Sequence, residues 1–210
     1  MDPKDIVRAG YDKVSYAYRG EGNDPASPDF EQYGTWLREL LELLPAGAPV
    51  LDLGCGNGIP VARLLSEAGC QVSGVDLSQV QIERAKRLVP KAHFTRADMS
   101  AVKFPPASFA AVVSFYAIIH LPLEEQPALF DNIFTWLRPG GFLMVTTGAQ
   151  AWTGTEEDWL GVEGARMYWS HADAQTYRQL LTDCGFSIHW MRFVPEGSGG
   201  HTLILARRPD

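Results

Sequence analysis

The chain has 210 residues, 46% of them hydrophobic and 20% charged, with 18 basic against 25 acidic side chains and a formal net charge of -7. That length suits one domain with a sizeable core, and the composition excludes global disorder, a collagen repeat and a disulfide scaffold. An acidic balance without clustered cations also argues against a duty on the nucleic-acid backbone.

Cys55, Cys70 and Cys184 are scattered and form no CxxC pair, so they read as free thiols of a reducing compartment. No HxH or HxxxH pair supports a metal site, and none is expected. The opening MDPKDIVRAGYDKV lacks the apolar core of roughly 7–15 residues that a secretion signal carries. No stretch reaches the roughly 20 apolar residues of a membrane span. The expected setting is the cytoplasm, as a monomer or homodimer with no membrane or nucleic-acid partner.

Residues 1–49 read as helix, loop, helix. Ile6 to Tyr18 is a mixed segment with three tyrosines, Tyr11, Tyr16 and Tyr18, and residues 20–29 are a loop by their Gly, Pro, Asn and Asp content. Tyr33, Trp36, Leu37, Leu40, Leu41 and Leu44 recur at helical spacing over 30–44, and Pro45 and Gly47 end that helix. From residue 50 strands and helices alternate. A strand at 50–53 precedes a helix at 60–68, with Pro60 suiting its first position and Gly69 its C-terminal cap. A strand at 71–77 precedes a helix at 78–89 capped by Ser78. Strands follow at 92–98 and from Phe109, then a helix over 123–137 stopped by Pro139 and two glycines, then a strand at 142–148. Within an irregular stretch, Thr155 followed by Glu156, Glu157 and Asp158 reads as the first turn of a helix. A helix capped at Gly185 and two strands across EGSGG, an antiparallel hairpin, close the chain.

Such alternation predicts an α/β fold: a doubly wound, mostly parallel sheet, Rossmann-like, with helices on both faces and the hairpin at the end. Ligands of these sheets bind at the carboxyl ends of the strands, near the point where strand order reverses. No internal repeat or interdomain linker is visible, so residues 1–210 read as one domain.

The decisive text is Val50-Leu51-Asp52-Leu53-Gly54-Cys55-Gly56-Asn57-Gly58-Ile59-Pro60. A strand runs into glycines that open a helix and let a ligand approach the backbone. A dinucleotide fingerprint, GxGxxG, would need glycine at 59, where Ile59 stands. Here the spacing is GxGxG, with an acid two residues before the first glycine. Asp52, semi-buried at a strand end, needs a partner. Asp76 ends the second strand, where a carboxylate can accept two hydrogen bonds from a diol. Read blandly, Asp52 anchors the loop, Asp76 is a solvated turn residue and Asp98 a strand-end cap.

The GxGxG loop, VSGVDLS, TRADMS, FAAVVSFYAIIHL and LRPGGFLMVTT, in that order over about residues 50–147, resemble the class I S-adenosylmethionine-dependent methyltransferases. The resemblance implies a seven-stranded sheet and methyl transfer from S-adenosyl-L-methionine to a small-molecule O, N, S or C acceptor, leaving S-adenosyl-L-homocysteine. The alternative is a non-catalytic cofactor-binding regulator or scaffold. It implies cofactor contacts from Asp52, Gly54, Cys55, Gly56 and Gly58, from Asp76 on the ribose with Leu77 beside it, from Asp98 on the adenine amine with Met99 against the ring, and from Ser114. Tyr11, Tyr16 and Tyr18 resemble a tyrosine-rich lid, with Arg19 paired to the methionine carboxylate. The parts are then a lid at 1–49, a cofactor core at 50–147, a substrate-side insertion at 148–172 and a C-terminal helix and hairpin at 173–210. Cys55 reads as a small filler between glycines. SFYA stands where base-methylating members carry an NPPY-like tetrapeptide, so that subclass is not expected.

On the acceptor side, His120 follows the fourth strand and is a candidate general base or positioning group. Tyr116, Trp152, Tyr168, Trp169 and His171 are candidate walls for a flat or cationic acceptor, or else core packing. His93, His189 and His201 read as strand residues.

Overall fold

The structure is a computed structural model and describes residues 2–20 and 28–210. Of the loop read at 20–29, residues 21–27 lie outside the described residues, and 28–29 already belong to the second helix. Seven strands form one sheet: β1 (Pro49–Leu53), β2 (Gln71–Asp76), β3 (His93–Arg96), β4 (Phe109–Ser114), β5 (Leu137–Gly148), β8 (Ser187–Glu196) and β9 (Gly199–Arg207). Their order is β3-β2-β1-β4-β5-β9-β8. The first five are parallel, β9 runs antiparallel to β5, and β8 pairs antiparallel with β9. This is the expected Rossmann-like sheet with its C-terminal hairpin.

The strands read as unbroken apolar runs because both faces are covered. Side chains alternate between two cores. Val50, Ala111, Val113 and Met144 pack with α2 (Pro28–Leu41), α3 (Val61–Glu67) and α4 (Gln79–Leu88). Leu51, Leu53, Val112, Leu143 and Val145 pack with α5 (Gln126–Trp136) and α6 (Ala174–Asp183) on the other face. Residues 123–125, read as the start of the fifth helix, form a separate 3-10 turn before α5.

One expectation fails. Thr155 does not open a helix: it lies in β6 (Trp152–Glu156), which pairs antiparallel with β7 (Met167–His171) as a two-stranded ribbon outside the main sheet. Tryptophan and threonine favour the pleated backbone, and MYWSH supplies a five-residue partner. The acids meet other needs: Glu157 pairs with Arg166 at 2.7 Å, and Asp158 accepts the Gly164 N–H at 2.6 Å.

Helix α1 (Pro3–Tyr18) crosses the carboxyl edge of the sheet, where it is docked by polar contacts. Asp12 accepts from Ser78 Oγ (2.5 Å) at the N-terminus of α4, and Ser15 Oγ donates to Gln81 Oε1 (2.8 Å). Arg84, 3% exposed, donates to Ser15 O and Oγ and to Arg19 O and Gly20 O at 2.5–3.0 Å. Ser15 O also accepts the Arg19 N–H at 3.2 Å, whereas the Arg19 and Gly20 carbonyls lie past the last helical turn. Arg84→Met is expected to cost about 3 kcal/mol, since hydrogen bonds from a charged donor contribute about 1.5–3 kcal/mol each and do not add. Calorimetry should show a melting temperature roughly 5–10 °C lower, with faster amide exchange over residues 14–20.

Candidate active site

Two adjoining compartments lie over the carboxyl ends of β1, β2, β3 and β4, under α1, where strand order reverses between β1 and β4. They share Tyr18, Gly54, Gly56 and Phe115.

The glycine loop is pinned from β2. Gly54 and Cys55 N–H both donate to Val75 O (2.7 and 3.0 Å). Asp76 accepts the Gly56 N–H on one carboxylate oxygen and the Ser78 N–H on the other, both at 2.9 Å. Burial pushes Asp76 up to about 6, although those N–H donors pull the other way. Gly54 and Gly56 both have positive φ, 76° and 52°, for different reasons. A Cβ on Gly54 would overlap the Ala117 Cβ, whereas one on Gly56 meets no protein atom and points into open space.

The smaller compartment has Asp52, Asn57 and Arg19 on its walls. Asp52 is 2% exposed and its Oδ2 has no hydrogen-bond partner; Asn57 Nδ2 is likewise buried and unpaired. Burial, reinforced by the charge of Asp76, raises Asp52 to about 8. The Arg19 guanidinium lies over Tyr18 and Tyr33, 5.2 and 5.5 Å from their ring centres. A buried acid, a buried amide donor and a guanidinium thus face one space.

The larger compartment has Asp76, Leu77, Asp98 and Met99 at one end and Tyr11, Phe115, Tyr116 and His120 at the other. Asp98 is already engaged: Ser100 N–H and Oγ donate to Oδ1, and Lys4 Nζ lies 2.8 Å from Oδ2. Burial would raise the Asp98 carboxyl, but Lys4 and Ser100 outweigh it and hold it below the usual value.

At the other end His120 Nδ1 lies 2.7 Å from the Tyr168 carbonyl oxygen. A carbonyl only accepts, so Nδ1 carries the proton and Nε2 the lone pair. The Tyr11 hydroxyl, 2.9 Å from Nε2, therefore donates to it. Burial lowers His120 to about 4 and raises Tyr11 well above its ordinary value, so both are neutral at physiological pH.

A family model described as a methyltransferase domain matches residues 50–141, the segment that builds the glycine loop, Asp76, Asp98 and the His120 turn. Residues 50–141 form a methyltransferase domain, on a fold shared with solved S-adenosylmethionine-dependent methyltransferases. Phosphoethanolamine N-methyltransferase 3 of Arabidopsis thaliana is 32% identical over 152 residues, covering 70% of this chain and 30% of that enzyme. The chain thus spans about a third of the length of such curated relatives. A solved S-adenosylmethionine-dependent methyltransferase from Mesorhizobium loti is 26% identical with a TM-score of 0.67, covering 83% of this chain and 98% of that one. The cyclase SpnF has the same fold at a TM-score of 0.75 and 19% identity, covering 100% of this chain and 97% of that one.

Against the methyltransferase pattern, Asp52, Gly54, Cys55, Gly56, Asp76, Leu77, Asp98, Met99, Tyr11, Tyr18, Arg19, Tyr116 and His120 all line the two compartments. Gly58 lies behind them, packed toward Val89 and Phe94. Ser114 is buried and donates to Leu53 O, tying β4 to β1. Tyr16 is 56% exposed, its ring under the Arg84 guanidinium. The insertion residues form a shell behind His120. Tyr168 contributes its carbonyl, Trp169 packs on the His120 ring at 5.5 Å, His171 meets the Gln150 carbonyl oxygen through Nδ1, and Trp152 is 48% exposed against Trp169. Sequence reasoning missed Lys4, Asn57, Tyr33 and Phe115. Asn57 was legible in principle, inside the glycine loop. His201, read as a strand residue, sets its ring 5.0 Å from Tyr116 and its Nδ1 3.2 Å from Glu196. Among the described residues no helix is long and apolar enough to cross a membrane, and no group of three His, Cys, Asp or Glu can hold a metal ion.

Folded Asp52 keeps its proton to about pH 8, whereas an unfolded aspartate loses it near 4. Its stabilising contribution is intact below pH 4 and is lost as pH rises toward 8. Asp52→Asn should therefore raise the melting temperature at pH 8, on the order of 5 °C, with the difference vanishing near pH 4. Gly56→Val should lower the melting temperature, because φ 52° strains a β-branched residue, and in the folded fraction should block any ligand seated against the loop, which equilibrium dialysis with S-adenosylhomocysteine would detect.

Proposed function

We propose that the protein binds S-adenosylmethionine along the two compartments and transfers its methyl group, by in-line displacement, to a small-molecule acceptor. The observation that carries this reading is the buried, unpaired Asp52 carboxyl facing the same space as Arg19 and Asn57. An amino-acid zwitterion supplies the matching groups: an ammonium for Asp52 and a carboxylate for Arg19 and the Asn57 amide. In the larger compartment Asp76 retains lone pairs for ribose hydroxyls, and Leu77 and Met99 offer an apolar face to the adenine. Asp98 would share its carboxylate between Lys4 and the adenine amine. The cofactor supplies an already activated methyl group on a sulfonium centre.

What remains for the chain is alignment and exclusion of water. Tyr11, Tyr18, Phe115, Tyr116 and His120 wall the far end of the larger compartment and suit an apolar or flat acceptor. Of the two roles open to His120, its low proton affinity favours positioning. The imidazole directs the Tyr11 hydroxyl at the wall of the compartment rather than storing a proton taken from the acceptor. Three unpaired cysteines suit a reducing compartment, which supports a cytoplasmic setting.

A second reading is a protein that binds the cofactor but transfers no methyl group; a solved cyclase with the same fold favours keeping it, since one fold serves more than one function. Incubating the protein with a small-molecule extract and deuterated-methyl S-adenosylmethionine, with mass spectrometric detection, separates the two. Transfer predicts a product heavier by one labelled methyl group. Tight cofactor binding with no such product would sink the methyl-transfer reading. Asp76→Asn should weaken binding of S-adenosylmethionine roughly tenfold to hundredfold, the effect of a lost hydrogen bond to a charged acceptor. In His120→Ala the rate loss should be constant from pH 6 to 8, because His120 is neutral throughout that range; a loss that shrinks as pH rises would restore the general base.

A further inference from the structure

Behind the His120 turn lies a polar knot that neither composition nor family resemblance marks. Gln126, the first residue of α5, is 0% exposed. Its side-chain amide nitrogen faces three carbonyl oxygens: Ile118 O (3.2 Å) and Leu121 O (2.8 Å) on the turn that carries His120, and Ser170 O (2.8 Å) on β7. Its amide oxygen accepts from the Tyr177 hydroxyl on α6 at 2.7 Å. The amide orientation is unambiguous, because carbonyls only accept and the NH2 must face them. Burial raises the Tyr177 phenol above its ordinary value, so it remains a donor.

Gln126 therefore bolts the His120 turn to β7. Tyr168, two residues before Ser170 on that strand, is the residue whose carbonyl receives the His120 Nδ1–H. The main-chain carbonyls of Tyr168 and Ser170 both meet the turn, one through the imidazole and one through Gln126. A second tie, the Leu123 N–H donating to Ser170 Oγ (3.1 Å), lies beyond the turn. A shift of the turn along β7 would break the Nδ1–H bond, free the ring to carry its proton on Nε2, and reverse the Tyr11 contact, so that the hydroxyl accepts where it had donated.

We infer that Gln126, oriented by Tyr177, is a positioning residue for methyl transfer, holding His120 in the Nδ1–H tautomer so that its Nε2 lone pair receives Tyr11. The inference rests on the proposed methyltransferase reading for its consequence in rate, but its structural content stands apart from that reading. Neither residue lines the compartments. Their substitution is expected to leave cofactor binding alone.

The test uses the full chain labelled with nitrogen-15 in histidine, whose ring-nitrogen shifts report which nitrogen is protonated; the His120 signals are assigned by their loss in His120→Asn. The wild type should show Nδ1–H. Gln126→Met, similar in volume and without amide donors, should give a mixture of tautomers, with S-adenosylhomocysteine affinity within about twofold of wild type. Its initial rate of deuterated-methyl incorporation into the small-molecule extract should fall about tenfold or more. Tyr177→Phe removes only the hydroxyl that orients the amide; it should shift the tautomers in the same direction with a smaller rate loss, and it decides the matter if Gln126→Met does not fold. Retention of pure Nδ1–H in a folded variant, with only the melting temperature lowered, would overturn the inference and leave Gln126 a packing residue. If the wild type transfers no methyl group, the tautomer measurement still decides the role of Gln126, while the methyltransferase reading falls separately.

Discussion

The closed site depends on one buried guanidinium. Arg84 reaches from α4 to the Ser15, Arg19 and Gly20 carbonyls at the end of α1 and holds that end against the sheet. Tyr18 and Arg19 are the residues immediately inside that clasp, and both line the compartments. Tyr11 lies two turns earlier on the same helix, at hydrogen-bond distance from His120. A helix placed across the carboxyl edge of a parallel sheet has no ladder to join, so its position is set by individual contacts. Here they come at both ends: Lys4 on Asp98 and Glu125, Asp12 on Ser78, and Arg84 on the final turn. The core of the sheet assembles from apolar periodicity, and the site closes by a few charged groups acting singly.

That division explains what the sequence revealed. The glycine loop, Asp52, Asp76 and the alternating core were legible because their meaning lies in local spacing: a strand, a turn of fixed length, then a helix. The contacts that complete the site carry no local signal. Arg84 meets Ser15 across 69 residues and Lys4 meets Glu125 across 121, and one basic residue on a polar helix face looks like any other. The β6–β7 ribbon was misread for a different reason. Thr155 and the following acids satisfy the chemistry of a helix start and of a strand end equally well, and only pairing with Met167–His171 decides between them. As a ribbon the segment does more than cover the site, since its Tyr168 carbonyl fixes the His120 proton.

The site also illustrates how binding capacity opposes stability. Two carboxyls, Asp52 and Asp76, sit close enough for the charge of Asp76 to raise Asp52, and both lie in surroundings that disfavour ionisation. Asp76 is compensated by two backbone donors. Asp52 is not: one of its oxygens is unpaired in a core of Leu51, Leu53 and Val50. A group so placed lowers the stability of the chain at neutral pH and waits for a cation. Buried polar groups without partners are rare in folded proteins and mark places where folding alone does not explain the residue.

The Lys4 contacts give the helical cover a different sensitivity from the rest of the structure. Lys4, Asp98 and Glu125 have side chains 24%, 24% and 34% exposed, so water and ions reach this triad as they do not reach Arg84. With a Debye length near 8 Å at physiological ionic strength, added salt weakens the amino-terminal clasp of α1 while sparing the buried one at its other end. Rising ionic strength is therefore expected to loosen the first turn of α1 while its final turn stays held by Arg84. Ligand residence time would shorten with rising salt even where the melting temperature hardly changes.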